Sequence, residues 1–481
     1  SMRHPLVFFF FLLLLLGVPL LWALASVAAS AFDASAWQAF FADPQTPKAL
    51  LLTLWTGLAS TLLSMGLAAW LLSRTFPGPL WARLVRVLGP LLAVPHAAFA
   101  IGLAALIAPS GWLLRLASPW ATGFTSPPAW ATTQDPLGLG LIAVLVAKEV
   151  PFLLWAAATQ LQRADESQRL TRELTVACTM GYTLQRAWWR VLWPQLWPRL
   201  RWPMLAVLAY SLTVVDVALV IGPTSPPTLS VLAWRWLLDA DLARNAQGSV
   251  AAWWLAAVLA LASALLWRAG SLSFWRNRWT NGQRGRSTSH RNQTPAKPMT
   301  AGALLALPGL YLTVMLALAV GSVSGVWAFP ALWPQTLTTG AWASVWASVG
   351  TVGTTLTLAL ASSAAALVWS VAWLECAPPR WDASARRFIY LPLVLPAVLW
   401  VSGVHAVTLR TGLDATWVGL WLAHTLATVP YVLIALSPAY LGFDARYWHI
   451  SASLGKRRST FLMQVKWPLL RAALASAAAV G

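Results

Sequence analysis

A chain of 481 residues that is 58% hydrophobic, only 10% charged and of mean hydropathy +0.65 has too little polar surface for an ordinary soluble protein. Its 33 Lys and Arg against 14 Asp and Glu give a formal charge of +19, a value that points to nucleic acid only if the cations cluster on a soluble face. The two cysteines, Cys178 and Cys376, fall in expected cytoplasmic turns and exclude a disulfide framework.

Apolar runs of 18 or more residues recur along the chain, long enough to cross a ~30 Å hydrocarbon core as helices. They are continuous rather than alternating, which favours helices over barrel strands. Ser1 ahead of Met2 reads as an added residue and is set aside. The first run, 5–30, comes after Arg3 and His4. It is overlong for a signal peptide and many spans come after it, so it reads as a retained helix. Further spans are expected near 48–72, 87–108, 137–160, 203–222 and 250–267. A polar stretch, 268–298, comes next and carries Arg276, Arg278, Arg284, Arg286, Arg291 and Lys297; its composition cannot bury a core and reads as a mobile connector. After it come spans near 301–326, 346–373, 388–408 and 416–437, and an apolar start at 472.

With the N-terminus inside, the cytoplasmic stretches are 1–4, 73–86, 161–202, 268–298, 374–387 and 438–471, and they hold 27 of the 33 Lys and Arg. This positive-inside bias accounts for the charge without nucleic acid.

Two of those cytoplasmic stretches share a motif. The first reads Thr175-Val-Ala177-Cys-Thr-Met-Gly181, then nine residues, Val191-Leu-Trp193-Pro194. The second reads His449-Ile-Ser451-Ala-Ser-Leu-Gly455, then nine residues, Val465-Lys-Trp467-Pro468. The repeat extends further: Pro95 precedes Gly102 by seven residues as Pro396 precedes Gly403, and Val150-Pro151-Phe152 corresponds to Val429-Pro430-Tyr431. The chain therefore divides into a first module 1–267, a basic linker 268–298 and a second module 299–481. The modules are parallel repeats of about six transmembrane helices in an all-α, polytopic membrane fold. The second module has four complete spans and a cut-off fifth, so the native protein is expected to continue, and this form is not expected to transport.

The two loops resemble the EAA loop of ABC importer permeases, E-A-A-x-x-x-G-x9-I-x-L-P, the part that docks on the ATPase. Two in one polypeptide look like the fused permeases of ferric-iron and thiamine uptake systems. This sequence departs from the family pattern at Thr175 and His449, where the family has Glu, and at Trp193 and Trp467, where it has Leu. The resemblance implies two copies of a cytoplasmic ABC ATPase that bind ATP, a periplasmic solute-binding protein, the bacterial inner membrane as location, and alternating access by rocking of the halves. The chain itself has no G-x4-G-K-[ST] and needs no cofactor of its own; Gly455-Lys456 lacks the upstream Gly and the following Ser or Thr. No nucleophile elbow, zinc spacing or dinucleotide fingerprint occurs either, so no enzymatic role is expected.

In the loops, Gly permits a turn, and Pro is expected to stop the helix after it. The alternative for a single copy is an interfacial amphipathic helix. Four ionisable residues lie in or beside spans, His96, Lys148, Glu149 and Asp216, and are the candidates for the substrate pathway, with Lys148 and Glu149 reading more readily as a structural pair. An ionised group at mid-bilayer costs about 2.5–3.5 kcal/mol on insertion scales, so each needs a reason. Asp216 reads either as a translocation-pathway residue or as an acid paired with Lys148. His96 reads more readily as a packed polar group than as a metal ligand. An ion-gradient-driven secondary transporter is the alternative function; it would use Asp216 and Glu149 but leaves the repeated loop unexplained. A membrane enzyme would need a cluster of catalytic groups at one interface, which the sequence lacks. The substrate is not legible.

Overall fold

The computed structural model describes residues 3–162, 164–271, 277–280, 282 and 296–481, and among these no strand forms. Among the described residues eight helices are long and apolar enough to cross a membrane, and one helix pair, bent at its break, passes the same test only when taken together. The principal helices are α1 (Arg3–Ala28), α2 (Thr46–Thr75), α3 (Pro79–Ala93), α4 (His96–Ile107), α5 (Leu139–Gln160), α6 (Ala164–Thr179), α7 (Arg201–Thr213), α8 (Asp216–Ile221) and α9 (Leu242–Ser271). The second half adds α10 (Ala296–Val323), α11 (Val349–Cys376), α12 (Pro379–Ile389), α13 (Ala397–Thr411), α14 (Trp417–Leu441), α15 (Arg446–Ser453) and α16 (Arg471–Val480).

Three expected spans are broken, each for a local reason. The run 87–108 begins inside α3 and is interrupted at Val94-Pro95, because Pro95 has no N–H to continue the ladder. The run 388–408 is interrupted at Leu395-Pro396, and the segments on either side, Pro379–Val394 and Ala397–Thr411, meet at 97°. The run 203–222 is not one helix either. Val214 turns extended after α7, within a β-branched Thr213-Val214-Val215 step of low helix propensity, and Asp216 opens α8 with its carboxylate at the positive helix end. The linker is also shorter than expected. α9 runs on to Ser271 and α10 starts at Ala296; the connector residues 272–276, 281 and 283–295 lie outside the described residues.

The two halves exchange their first helices. α1 packs along α13 of the second half, and α10 packs along α4 of the first. Glycines allow both approaches: a Cβ on Gly403 would run into the Ala23 backbone, and one on Gly102 into Val314. Small residues at such crossings let backbones close up where lipid offers no hydrophobic drive between helices. Between the exchanged helices, α5 meets α14. Away from the loops, the short helix Trp112–Ala117 carries the buried Arg115, which donates to the carbonyls of Trp327, Ala328 and Ala331 at 3.2, 3.1 and 2.6 Å.

Candidate functional site

The two repeated loops fold alike. In the first, α6 ends in a Schellman-type cap: the Tyr182 N–H donates to the Ala177 carbonyl at 3.2 Å, and Gly181 takes a φ of +94°, which disfavours any residue with a Cβ. In the second, the Lys456 N–H donates to the Ser451 carbonyl at 3.1 Å and Gly455 has a φ of +69°. Thr175 and His449 are exposed at matching positions, Ala177 and Ser451 are buried, and Val191 and Val465 are half-buried.

After each glycine comes one turn of α-helix, Leu184–Ala187 or Arg458–Phe461, and then a π-turn, Trp188–Leu192 or Leu462–Lys466. The N–H of Trp193 donates five residues back to Trp188, as that of Trp467 does to Leu462. Pro194 and Pro468 come immediately after. The expectation that these prolines end the helix is therefore wrong. The wider π register gives the ring room, and the chain continues helically through Trp193–Leu196 and Trp467–Leu469.

Each loop is tied to the end of the second span of its own half, by different chemistry. In the first, the Trp188 indole donates to the Phe76 carbonyl and the Gln185 amide to the Ser73 carbonyl, both at 3.0 Å. Glu166 and Glu173 on α6 hold Arg169, Arg199 and Gln195 across the loop. The hydrogen bond from Arg169, helped by Arg199, keeps the Glu166 carboxyl far below the usual range, at about 2. In the second loop one carboxylate does this work. Glu375, near the end of α11, accepts from Tyr440, Arg458 and Lys466, and the Trp467 indole donates to the Tyr440 hydroxyl at 3.1 Å. Sequence reasoning misses Glu375. Its signal is a lone acid closing an apolar span, three residues before Pro378, where the first half has Arg74 three residues before Pro77.

Both loops lie at one end of the bundle. Trp202, just after the first loop, packs edge-to-face on Tyr390 at 4.9 Å, beyond α12, which comes directly after α11. Phe9 of α1 reaches the same end, 4.8 Å from Trp373.

The four ionisable residues in the spans gather around the breaks in the first half. His96 opens α4 and its Nε2 lies 3.3 Å from Glu149, while its ring meets Tyr210 at 4.9 Å. The Tyr210 hydroxyl is 3.5 Å from Asp216. Lys148 does not pair with Asp216. Its ammonium is buried and donates to the carbonyls of Leu91, at 3.0 Å, and Val94. The reason is Pro95: Leu91 would have bonded to the N–H of residue 95, and proline has none, so the lysine supplies the donor.

No protein-family model matches the chain. Over its whole length, and 85% of the relative's, it is 32% identical to the inner membrane ABC transporter permease protein YnjC of Escherichia coli K12. Over 103 residues, 18% of this chain and 19% of the relative, it is 29% identical to the thiamine transport system permease protein ThiP of Brucella suis.

Proposed function

The chain belongs to the inner-membrane ABC transporter permeases, and we propose that both of its repeated loops are docking knobs for cytoplasmic ATPase subunits. It is a multi-pass inner-membrane protein and the transmembrane subunit of an ABC importer. ATP is hydrolysed by the partner, with one ATPase copy on each loop, and a periplasmic binding protein delivers the solute to the opposite face. The observation that carries this reading is the shared fold of the loops: cap, left-handed Gly, one α-turn, π-turn and Pro, twice, at one end of the bundle. Exposed Val176 and Met180 on the first loop, and Ile450 and Leu454 on the second, give each knob an apolar face for a groove on the partner. The positive-inside charge bias supports a cytoplasmic position for that end and for the start of α1.

His96, Glu149, Tyr210 and Asp216 line the solute's route beside the helix breaks, since irregular backbone at membrane depth is tolerated where it borders a cavity or packs in protein. Lys148 supports that route by holding the break. Thiamine is the solute to try first, on the part-length similarity to a thiamine permease. The test is site-directed cross-linking in inverted membrane vesicles, with photoreactive residues at Val176 and Ile450. Each should trap the ATPase subunit, while Trp112 at the other end should not. Transport driven by a proton gradient, with no ATPase trapped from either position, would favour the secondary-transporter alternative instead.

A further inference from the structure

At three prolines among the described residues, a side chain from another element takes the place of the backbone donor that the ring removes. Lys148 does so for Leu91 beside Pro95. The Tyr311 hydroxyl of α10 does so for Ala147, four residues before Pro151, at 2.7 Å. The third case lies in the first loop. Its π-turn pairs each N–H with the carbonyl five residues back, so Pro194 leaves Trp189 without a partner in that series. The indole Nε1 of Trp279 donates to the Trp189 carbonyl. Arg190 answers by donating to the carbonyls of Arg278 and Trp279, at 3.3 and 3.1 Å, with its guanidinium 5.8 Å from the Trp279 ring.

Arg278 and Trp279 belong to the segment joining the two halves, which composition alone reads as a mobile connector. In the structure, Trp279 borders a cavity of about 570 Å³ along α6, with Arg172, Val176 and Met180 on its wall. On its other side it faces Trp193 and Trp197. Among the described residues the second loop has no counterpart. Pro468 leaves the carbonyl of exposed Met463 in the same position, and no side chain among the described residues donates to it.

We infer that the Arg278–Trp279 step is a working part of the first loop: Trp279 is a positioning residue that holds the π-turn in its docking shape and walls the surface on which the ATPase seats. The inference rests on the reading of both loops as ATPase-docking knobs. It makes the two loops unequal, because docking at the first depends on the inter-half segment and docking at the second does not.

The experiment uses the full chain in nanodiscs, as wild type, Trp279→Ala and Trp279→Phe, with and without its ATPase. Amide exchange over 184–196 should speed up about fivefold in Trp279→Ala, the opening change that loss of one hydrogen bond produces, and should stay unchanged over 458–469. Trp279→Phe keeps an aromatic ring without the N–H, so it should keep the cavity wall beside Trp193 and Trp197 but not the slow exchange. Cross-linking of the ATPase from position 176 should fall in both variants and that from position 450 should hold. Wild-type exchange over 184–196 in Trp279→Ala overturns the inference, as does full rescue by Phe, or faster exchange with undiminished cross-linking from 176. If wild type itself traps no ATPase from either loop, the docking reading fails, and the exchange result still decides whether Trp279 holds the turn.

Discussion

Phe152 and Tyr431 meet edge-to-face with ring centroids 6.0 Å apart, and they are the same position in the two repeats. Residues related by a repeat touch each other only near the axis that relates the halves. The crossing of α5 and α14 is therefore the centre of the molecule, and any rocking of the halves must pivot on or part this pair. Phe152→Ala and Tyr431→Ala should each destabilise the protein, and the double mutant should fall short of their sum by about 0.5–1.5 kcal/mol, the worth of an aromatic pair beyond its buried area. Tyr431→Phe should behave as wild type. Thermal unfolding in detergent measures the cycle, and strict additivity would mean that the rings do not interact.

Lys148 is a structural donor, so replacing it should act on folding. Lys148→Met keeps the length of the side chain but leaves the Leu91 and Val94 carbonyls unfilled, at a cost of about 1–3 kcal/mol. Asp216→Asn should lower transport with little effect on folded yield. The two changes should add to within about 0.5 kcal/mol, because Lys148 and Asp216 share no contact. Folded yield by fluorescence-detected size exclusion, scored beside transport, checks this; restored yield in the double mutant would re-establish the ion pair that the structure lacks.

The first loop should loosen in acid. Glu166 has its carboxyl lowered from 4.5 to about 2 by Arg169 and Arg199, so the unfolded loop binds more protons than the folded one between those values. Its contribution is complete above about pH 4.5 and is lost as pH falls toward 2. The difference in amide exchange over 164–179 between wild type and Glu166→Gln should stay constant from about pH 7 to 5 and shrink below that. A difference that persists unchanged down to about pH 2 would sever Glu166 from the loop's stability.

The second loop depends on one acid. Glu375→Gln strips the negative charge from between Arg458 and the buried Lys466, and unpairing a buried cation of this kind costs about 3–5 kcal/mol. The loop should then open and trypsin should cut at Arg458 faster. Adding Lys466→Met, which removes the stranded charge, should recover much of the protection. Equal cleavage rates in wild type and Glu375→Gln would show that Glu375 does not hold the loop.

The sequence reveals most where a residue acts through its own backbone. Gly181 and Gly455 announce a turn, and their fixed distance to Pro194 and Pro468 marks the two loops in the sequence itself. The same prolines mislead about the helix around them, because a π-turn has no composition of its own: within Trp188–Leu192 and Leu462–Lys466 the two loops share only Val191 and Val465. Pro95 and Pro396 are legible as a repeat, but their position inside apolar runs hides the breaks they cause. Side chains that reach across the fold are not legible. Lys148 looks like a partner for Asp216 because opposite charges attract, whereas the strongest local demand comes from a carbonyl that Pro95 leaves unbonded. Glu375 and Trp279 escape notice for the same reason: their targets, Lys466 and the Trp189 carbonyl, are far away in the chain.

The exchange of first helices bears on how the protein is made. α1 enters the membrane early in synthesis, yet the face of Ala23 that receives Gly403 stays uncovered until α13 has been threaded in. α4 likewise waits for α10. Neither half can finish folding behind the ribosome as a unit, so the domain-by-domain order usual for large chains is closed to this one. A lesion in α13 therefore leaves α1 as an orphan that quality control meets first, at the opposite end of the gene from the mutation.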